Sequence, residues 1–133
     1  MANKIHGLHL LVDGEVHNSD VFSEQNLSEL ILQLVEALKM TIIMGPIFKQ
    51  VEMDPSKLSG DVFQDEGGTS AYCMISTSHI SIHVWPLRRV FLCDVFSCKD
   101  FDRKLAESII KEKLNPAHLR IQSAIRTADF SNV

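Results

Sequence analysis

The sequence predicts an α+β fold, a two-layer sandwich in which helices cover one face of a largely antiparallel sheet. Two segments repeat their apolar residues every three or four positions, as amphipathic helices do. Six other segments are short and rich in β-branched and apolar residues, as strands are. Their order is β, α, β, a long loop, β, β, β, α, β. In this arrangement the helices leave the other face of the sheet free for a site.

The first two elements are a strand over 5–13 and a helix over 26–39. The strand, IHGLHLLVD, is a short apolar run without a helical period. Asn26 and Glu29 have the spacing of a capping box, which predicts that the helix starts at Asn26. The apolar stripe expected to face the core consists of Leu27, Leu30, Ile31, Leu34, Val35 and Leu38.

A second strand is expected over 40–53, with a bend or bulge at Gly45-Pro46 because proline cannot donate a hydrogen bond to a neighbouring strand. Residues 54–68 have loop composition throughout. A connection of this length is uncommon in a small domain, and such loops are more often functional or mobile than ordinary.

Three strand candidates follow, over 69–76, 79–85 and 90–98. The middle one alternates, so its apolar and polar side chains point to opposite faces of the sheet. The apolar face holds Ile80, Ile82 and Val84, and the polar face holds His79, Ser81 and His83. One face can therefore pack a core, while the other carries polar and partly titratable groups.

A second amphipathic helix is predicted over 101–114, with Asp100 as N-cap and Asn115-Pro116 as its stop signal. Its apolar stripe consists of Phe101, Leu105, Ile109 and Leu114. A last strand over 118–125 completes the pattern.

Composition limits the class of protein and its partners. The 133 residues are 45% hydrophobic and are expected to form a single domain over 1–133. A formal charge of −4 without an extended basic run argues against nucleic acid as a partner. No apolar stretch reaches the roughly 18 residues that cross a bilayer, and no signal-peptide pattern is visible. A cytoplasmic protein with no membrane partner is expected.

The three cysteines predict free thiols, because their number is odd and no secretion signal accompanies them. Cys73 and Cys93 are assigned to packing. A zinc site built from His83, Cys98 and either His6 or His9 is one alternative, but no compact ligand motif supports it, and no bound metal is expected. A Ser/His/Asp hydrolase is another, but no serine lies in a GxSxG elbow.

The stretch TSHISIHVWPLRRVFLCDVFSC, residues 77–98, resembles the processing site of the small prokaryotic S-adenosylmethionine decarboxylases, a pyruvoyl-dependent family. In that family the site commonly reads ESHxxIHTWPE, followed after a short strand by DxFxC. The likeness extends to GLHLLVD near the start and to the serine of GTSAY, and so covers most of the chain. It implies an S-adenosylmethionine decarboxylase-like sandwich.

The resemblance implies that the chain cuts itself between Thr77 and Ser78, into a β chain of residues 1–77 and an α chain of residues 78–133. The Ser78 hydroxyl would attack the carbonyl of Thr77 and turn the amide into an ester. Elimination then cuts the chain, and hydrolysis leaves a pyruvoyl group derived from Ser78. This group is the only cofactor implied, and it forms a Schiff base with the substrate amine and acts as an electron sink.

By the same resemblance, three further residues take part. His83 assists proton removal during processing, Cys98 protonates the substrate carbon after decarboxylation, and Ser70 assists processing. The small-molecule substrate implied is S-adenosylmethionine, which is decarboxylated for spermidine, and hence polyamine, synthesis. Family members associate as dimers, so a homodimer or a higher homo-oligomer is expected.

Two positions depart from the family pattern. Thr77 and Leu87 stand where the family has glutamates, and the second glutamate is associated with the ribose hydroxyls of S-adenosylmethionine. Leucine cannot accept those hydrogen bonds. Two alternatives therefore stay open: a pyruvoyl-dependent decarboxylase of another amino acid, such as ornithine or arginine, and a non-catalytic relative that keeps the fold in a binding role.

Overall fold

The computed structural model describes residues 6–52 and 66–131. Within these residues the elements follow the predicted order, with a short 3-10 helix added before the first α-helix. They are β1 (Gly7–Val16), the 3-10 helix (Ser19–Phe22), α1 (Glu24–Ala37), β2 (Ile42–Val51), β3 (Gly68–Ile75), β4 (Ser78–Trp85), β5 (Val90–Ser97), α2 (Arg103–Leu114) and β6 (Pro116–Arg126). The loop predicted over 54–68 lies outside the described residues up to residue 65.

The strands of the described chain form one antiparallel sheet in the order β2-β3-β4-β5-β1-β6. Tight turns join β3 to β4 and β4 to β5, so these strands pair with their sequence neighbours. β1 lies beside β5, and β6 pairs with the outer side of β1. The predicted α+β class is confirmed. Neither helix in the described part of the chain is long and apolar enough to cross a membrane.

The alternation predicted for β4 decides which face of the sheet is covered. Ile80, Ile82 and Val84 are fully buried and belong to the same core cluster as the apolar stripes of both helices. The side chains of His79 and His83 point to the opposite face. We call this second face, with the residues that pair with them on β3 and β5, the open face.

Gly45 and Pro46 interrupt β2, as predicted. The register of β2 against β3 shifts between Met44 and Ile47, and the peptide bond between Gly45 and Pro46 is cis. Gly45 has a φ of 110°, in the region that favours glycine. The bulge is therefore confirmed.

The predicted start of the first helix is wrong, because Ser23 and not Asn26 is the N-cap of α1. The Ser23 hydroxyl oxygen accepts a hydrogen bond from the backbone N–H of Asn26. The Asn26 side chain instead donates to the backbone oxygens of Val21 and Lys113, at 2.8 and 3.0 Å. Since Lys113 lies in α2, Asn26 ties the start of one helix to the end of the other.

The predicted start of the second helix is wrong as well, and this helix begins later than predicted. Asp102, not Asp100, is the N-cap of α2, and its carboxylate accepts from the backbone N–H of Leu105. Leu105 is 37% exposed and lies outside the buried stripe. That stripe consists of Ala106, Ile109, Ile110 and Leu114. The predicted end is confirmed, since Asn115 adopts a left-handed φ of 45° and Pro116 begins β6.

Candidate active site

The candidate cleavage site lies in the tight turn that joins β3 to β4. Ser76 and Thr77 form this turn, and Ser78 is the first residue of β4. Thr77 has a φ of 56°, in the left-handed region that a β-branched residue rarely adopts. Such a conformation costs about 1–3 kcal/mol and persists only where the surrounding structure maintains it. The carbonyl that Ser78 would attack therefore belongs to a strained residue.

Ser78 is buried, with 8% of its surface exposed, at the end of the sheet. Its hydroxyl oxygen accepts a hydrogen bond of 3.0 Å from the backbone N–H of Cys98, the residue directly after β5. This bond holds the Ser78 oxygen beside the turn and leaves its proton free to be donated to a base.

The Cys98 thiol adjoins the same turn. The Thr77 hydroxyl lies 2.8 Å from its sulfur and 2.7 Å from the backbone oxygen of Ser76, and it can donate its one proton to either. Hydrogen bonds from the hydroxyl of Thr77, and then from that of Ser78, lower the pKa of Cys98, because they stabilise the thiolate. The Cys98 thiol therefore lies beside Ser78 with a lowered pKa, where it can exchange a proton.

The other two cysteines differ in both position and acidity. Cys73 and Cys93 are buried in the core, which confirms their assignment to packing. Burial raises the pKa of both thiols. Cys98, in contrast, is exposed.

Two cavities adjoin the turn. The first, of about 260 Å³, contains the thiol and is lined by Lys39, Thr41, Thr77, Ser78, Cys98 and Lys99, among others. The second, which we call the open-face cavity, has a volume of about 310 Å³ and is lined by Ile43, Met74, Thr77, Ser78, His79 and Phe96, among others. The peptide between Thr77 and Ser78 is therefore accessible from the open face as well as from the thiol side.

Ser70 and His83 form a second pair, on the open face. They are directly opposite each other on β3 and β4, and the Ser70 hydroxyl lies 2.8 Å from Nδ1 of His83. A cavity of about 160 Å³ adjoins them and is also lined by Gly67, Gly68, Thr69 and Trp85. A hydroxyl in contact with an imidazole can pass a proton to or from it.

The two pairs do not meet within one copy of the chain. Ser78 begins β4 and His83 lies five residues later, about 16 Å away along a strand. Because five is an odd number, the two side chains also point to opposite faces. The described residues thus form two half-sites, the Ser78 half-site with Cys98 and the His83 half-site with Ser70.

The alternative of a zinc site at His83 and Cys98 is not supported. Within residues 6–52 and 66–131, no three His, Cys, Asp or Glu side chains are grouped so that they could hold a metal ion. Within one copy of the chain, His83 and Cys98 belong to different half-sites, which lie too far apart to share one ion.

A model of the S-adenosylmethionine decarboxylase family matches residues 8–127 of the sequence. The chain belongs to the S-adenosylmethionine decarboxylase family. This finding confirms the family resemblance of residues 77–98.

Curated relatives match both the whole chain and parts of it. An S-adenosylmethionine decarboxylase proenzyme of Clostridium botulinum (strain Loch Maree) is 31% identical over 125 residues, which cover 92% of this chain and 96% of the relative. A proenzyme of the same name from Pyrobaculum arsenaticum is 38% identical over 60 residues, or 44% of this chain, and the match spans 48% of that relative's length. An arginine decarboxylase proenzyme of Ignicoccus hospitalis is 30% identical over 120 residues, 87% of this chain and 74% of that one.

Among solved structures, the adenosylmethionine decarboxylase from Aquifex aeolicus is similar to this chain with a TM-score of 0.70. The alignment covers 98% of both chains at 24% sequence identity. At that identity the likeness establishes the fold alone, which agrees with the antiparallel sheet and its helix-covered face.

The two departures from the S-adenosylmethionine decarboxylase pattern have different structural contexts. Thr77 contacts the Cys98 sulfur, a contact that the sequence did not reveal because 21 residues separate the two. Leu87 lies in the turn between β4 and β5 and is 68% exposed. Threonine is therefore part of the Ser78 half-site, whereas Leu87 offers no polar group at the other end of β4.

Sequence reasoning did not single out a cluster of titratable side chains in the middle of the open face. His9 Nε2 lies 3.3 Å from Oδ1 of Asp94, and the Ser81 hydroxyl donates to Oδ2 of Asp94 at 3.4 Å. The ring of His79 stacks on Tyr72. Burial, and next the neighbouring His9, lowers the pKa of His79. Only the register of β1 against β5 could have revealed this cluster, since His9 and Asp94 are 85 residues apart.

Proposed function

We propose that this chain cleaves itself between Thr77 and Ser78 and then decarboxylates S-adenosylmethionine, giving the decarboxylated product that spermidine synthesis uses. The observation that carries the proposal is the turn itself. A strained Thr77 precedes a buried Ser78 whose oxygen is held by the N–H of Cys98, and the Cys98 thiol contacts the same turn. We place the reaction in the cytoplasm.

Self-cleavage begins when a base removes the proton of the Ser78 hydroxyl and its oxygen attacks the carbonyl carbon of Thr77. The C–N bond breaks, an ester bond forms, and the amine of Ser78 is released. Removal of the Ser78 α-proton then expels the ester oxygen, so that Thr77 ends the β chain as a carboxylate. Water hydrolyses the remaining enamine, through its imine, to a pyruvoyl group and ammonia. The strain at Thr77 favours the first step because it is relieved when the amide is lost.

The residues that remain around Ser78 fit the chemistry of a pyruvoyl group. When formed, the group supplies an electron sink for decarboxylation. The Cys98 thiol, with its lowered pKa, lies next to this position and can hold the proton that the substrate carbon receives. The thiol-side cavity, which contains Cys98, gives the substrate access to both groups.

A homodimer is part of the proposal, because one copy of the chain does not bring its two half-sites together. His83 can assist cleavage only if it reaches the Thr77–Ser78 bond of another copy. The open face is suited to such contact, since several of its apolar side chains are exposed. These include Ile47, Tyr72, Met74 and Leu92. The open-face cavity then admits the partner's histidine to the scissile peptide.

A second candidate function is pyruvoyl-dependent decarboxylation of arginine. The observation in its favour is the relative from Ignicoccus hospitalis, which is named an arginine decarboxylase proenzyme and matches 87% of this chain. Leu87 agrees with this alternative, because it cannot accept hydrogen bonds from ribose hydroxyls.

Intact-protein mass spectrometry tests self-cleavage. The purified chain should separate under denaturing conditions into fragments of 77 and 56 residues. The shorter fragment should be lighter by one ammonia than a fragment with an N-terminal serine, and Ser78→Ala should stay whole. A wild-type chain that stays whole after prolonged incubation contradicts the proposal and favours the non-catalytic relative. Release of carbon dioxide from S-adenosylmethionine, arginine, ornithine and lysine, measured side by side, then identifies the substrate.

A further inference from the structure

Glu66 and Arg88 form an ion pair beside the His83 half-site. Arg88 Nε donates to Oε2 of Glu66 at 2.8 Å, and a terminal nitrogen of Arg88 donates to Oε1 at 2.6 Å. The Glu66 side chain is 13% exposed and that of Arg88 is 34% exposed. Both carboxylate oxygens are thus engaged by two donors of one planar group, a geometry that guanidinium and carboxylate favour.

The backbone fixes Glu66 at this place. Glu66 directly precedes Gly67 and Gly68, which line the cavity next to Ser70 and His83. Gly67 has a φ of 83°, and a Cβ on Gly68 would clash with the backbone oxygen of Val84. The start of β3 is therefore pressed against the end of β4, in a way that only glycine permits. This contact places the Glu66 carboxylate next to Arg88, in the turn between β4 and β5.

We propose that Glu66 is the specificity-determining carboxylate of this enzyme, which accepts two parallel hydrogen bonds from the donor-bearing end of the substrate. The inference rests on the proposed function. Until substrate binds, Arg88 is hydrogen-bonded to this carboxylate, and this competition lowers the apparent affinity of the enzyme for its substrate. Two substrates carry a fitting pair of donors: arginine in its guanidinium, and S-adenosylmethionine in its adjacent ribose hydroxyls. Ornithine and lysine end in a single ammonium and do not.

The position of Glu66 agrees with this role. Glu66 lies on the His83 side of the molecule, whereas the reacting carbon is bound at the Ser78 half-site. In the dimer proposed above, the His83 half-site of one copy meets the Ser78 half-site of the other. A substrate attached at Ser78 therefore extends toward the carboxylate of the partner copy. Leu87, which neighbours Arg88 in the turn between β4 and β5, cannot accept a hydrogen bond. In our proposal Glu66 provides the carboxylate beside this turn.

The test compares kcat and KM on cleaved protein, with S-adenosylmethionine and arginine as separate arms. Glu66→Gln should raise KM about tenfold or more for the true substrate and change kcat little, because it removes a charged acceptor used in binding. Arg88→Met should lower KM, by up to about fivefold, because it removes the competing guanidinium from a partly exposed pair. Glu29→Gln, which removes the Glu29–Lys113 pair on the helices, is the matched control and should change neither constant.

The outcomes separate this inference from the proposed function. If the chain cleaves and decarboxylates one of the two substrates, but Glu66→Gln has the KM of the Glu29→Gln control, the inference is wrong and the function stands. An Arg88→Met variant whose KM rises instead of falling also overturns it, because Arg88 then helps binding. If the wild-type chain neither cleaves nor decarboxylates, the proposed function fails first, and the role of Glu66 fails with it.

Discussion

Thr77 has two roles in the proposed cleavage. Its carbonyl carbon is attacked by Ser78, and its hydroxyl contacts the thiol of Cys98. The sequence presents Thr77 as the residue before the cleavage site and as a departure from a glutamate, and it predicts no role for the Thr77 side chain. In the structure its left-handed backbone and its side chain both belong to the Ser78 half-site.

We expect the acidity of Cys98 to depend on the Thr77 hydroxyl, which is the largest cause of its lowered pKa. In a chain kept whole by Ser78→Ala, Thr77→Val should shift alkylation of Cys98 by iodoacetamide to higher pH. Thr77→Ser keeps the hydroxyl and should leave the pH profile in place. The measurement is the rate of alkylation at a series of pH values, followed by peptide mass spectrometry. Equal profiles for the valine and serine variants contradict the assignment.

His79 should make stability depend on pH. Burial lowers its pKa in the folded chain, so the unfolded chain binds a proton at higher pH than the folded one does. Stability is therefore present above the ordinary pKa of histidine, about 6.5, and is lost as the pH falls below it. His79→Phe keeps an aromatic ring without a titratable group and should lose less stability between about pH 7.5 and pH 5.5.

Urea unfolding at the two pH values measures this loss. His118→Phe is the control, because the side chain of His118 is 82% exposed and lies outside the cluster of His9 and His79. The account is contradicted if His79→Phe and the wild type lose the same stability on acidification.

Single residues of the candidate site could be singled out because their chemistry is local in the sequence, and their roles stay predictions. Ser78 and His83 occur together in one short motif, and strand alternation predicted the face to which His83 points. Contacts between distant segments could not be predicted in the same way. The pairs His9 with Asp94 and Thr77 with Cys98 arise from strand register and turn geometry, which one sequence does not specify.

Among the elements, the positions of the strands were predicted more accurately than the residues at which the helices start. β4 alternates strictly, and a period of two residues is visible even in a short segment. Near the start of each helix, however, lies more than one residue able to cap it. Ser23 and Asp102 are the N-caps because the chain turns there. Asn26 and Asp100 are equally of the residue types that are preferred at N-caps.

Asn26 should stabilise the packing of α1 on α2, since its side chain joins Val21 to Lys113. Asn26→Leu removes both donors and leaves two backbone carbonyls without this partner. We expect the free energy of unfolding to fall by about 1–3 kcal/mol. Gln25→Ala, on the exposed side of the same turn, is the control and should have little effect. Urea denaturation of both variants gives the comparison, and an Asn26→Leu variant as stable as Gln25→Ala contradicts this role.

The whole molecule has one covered and one open sheet face, and this asymmetry follows from having two helices for six strands within the described residues. The class of fold was predicted from element order because few architectures accept that order. The division into two half-sites was not predicted. It depends on where the motif falls along β4, which places Ser78 at one end and His83 near the other.

The central claim is that Ser78 of one copy is cleaved with the help of the partner's His83. Two tagged chains, one carrying His83→Ala and the other Ser78→Ala, are purified separately and after co-expression, and cleavage is read by intact mass. Neither variant should be cut alone. In the mixed dimer the His83→Ala chain should separate into fragments of 77 and 56 residues, because its intact Ser78 meets an intact histidine. A mixed dimer that stays whole, under conditions in which the wild type is cut, would contradict the shared site.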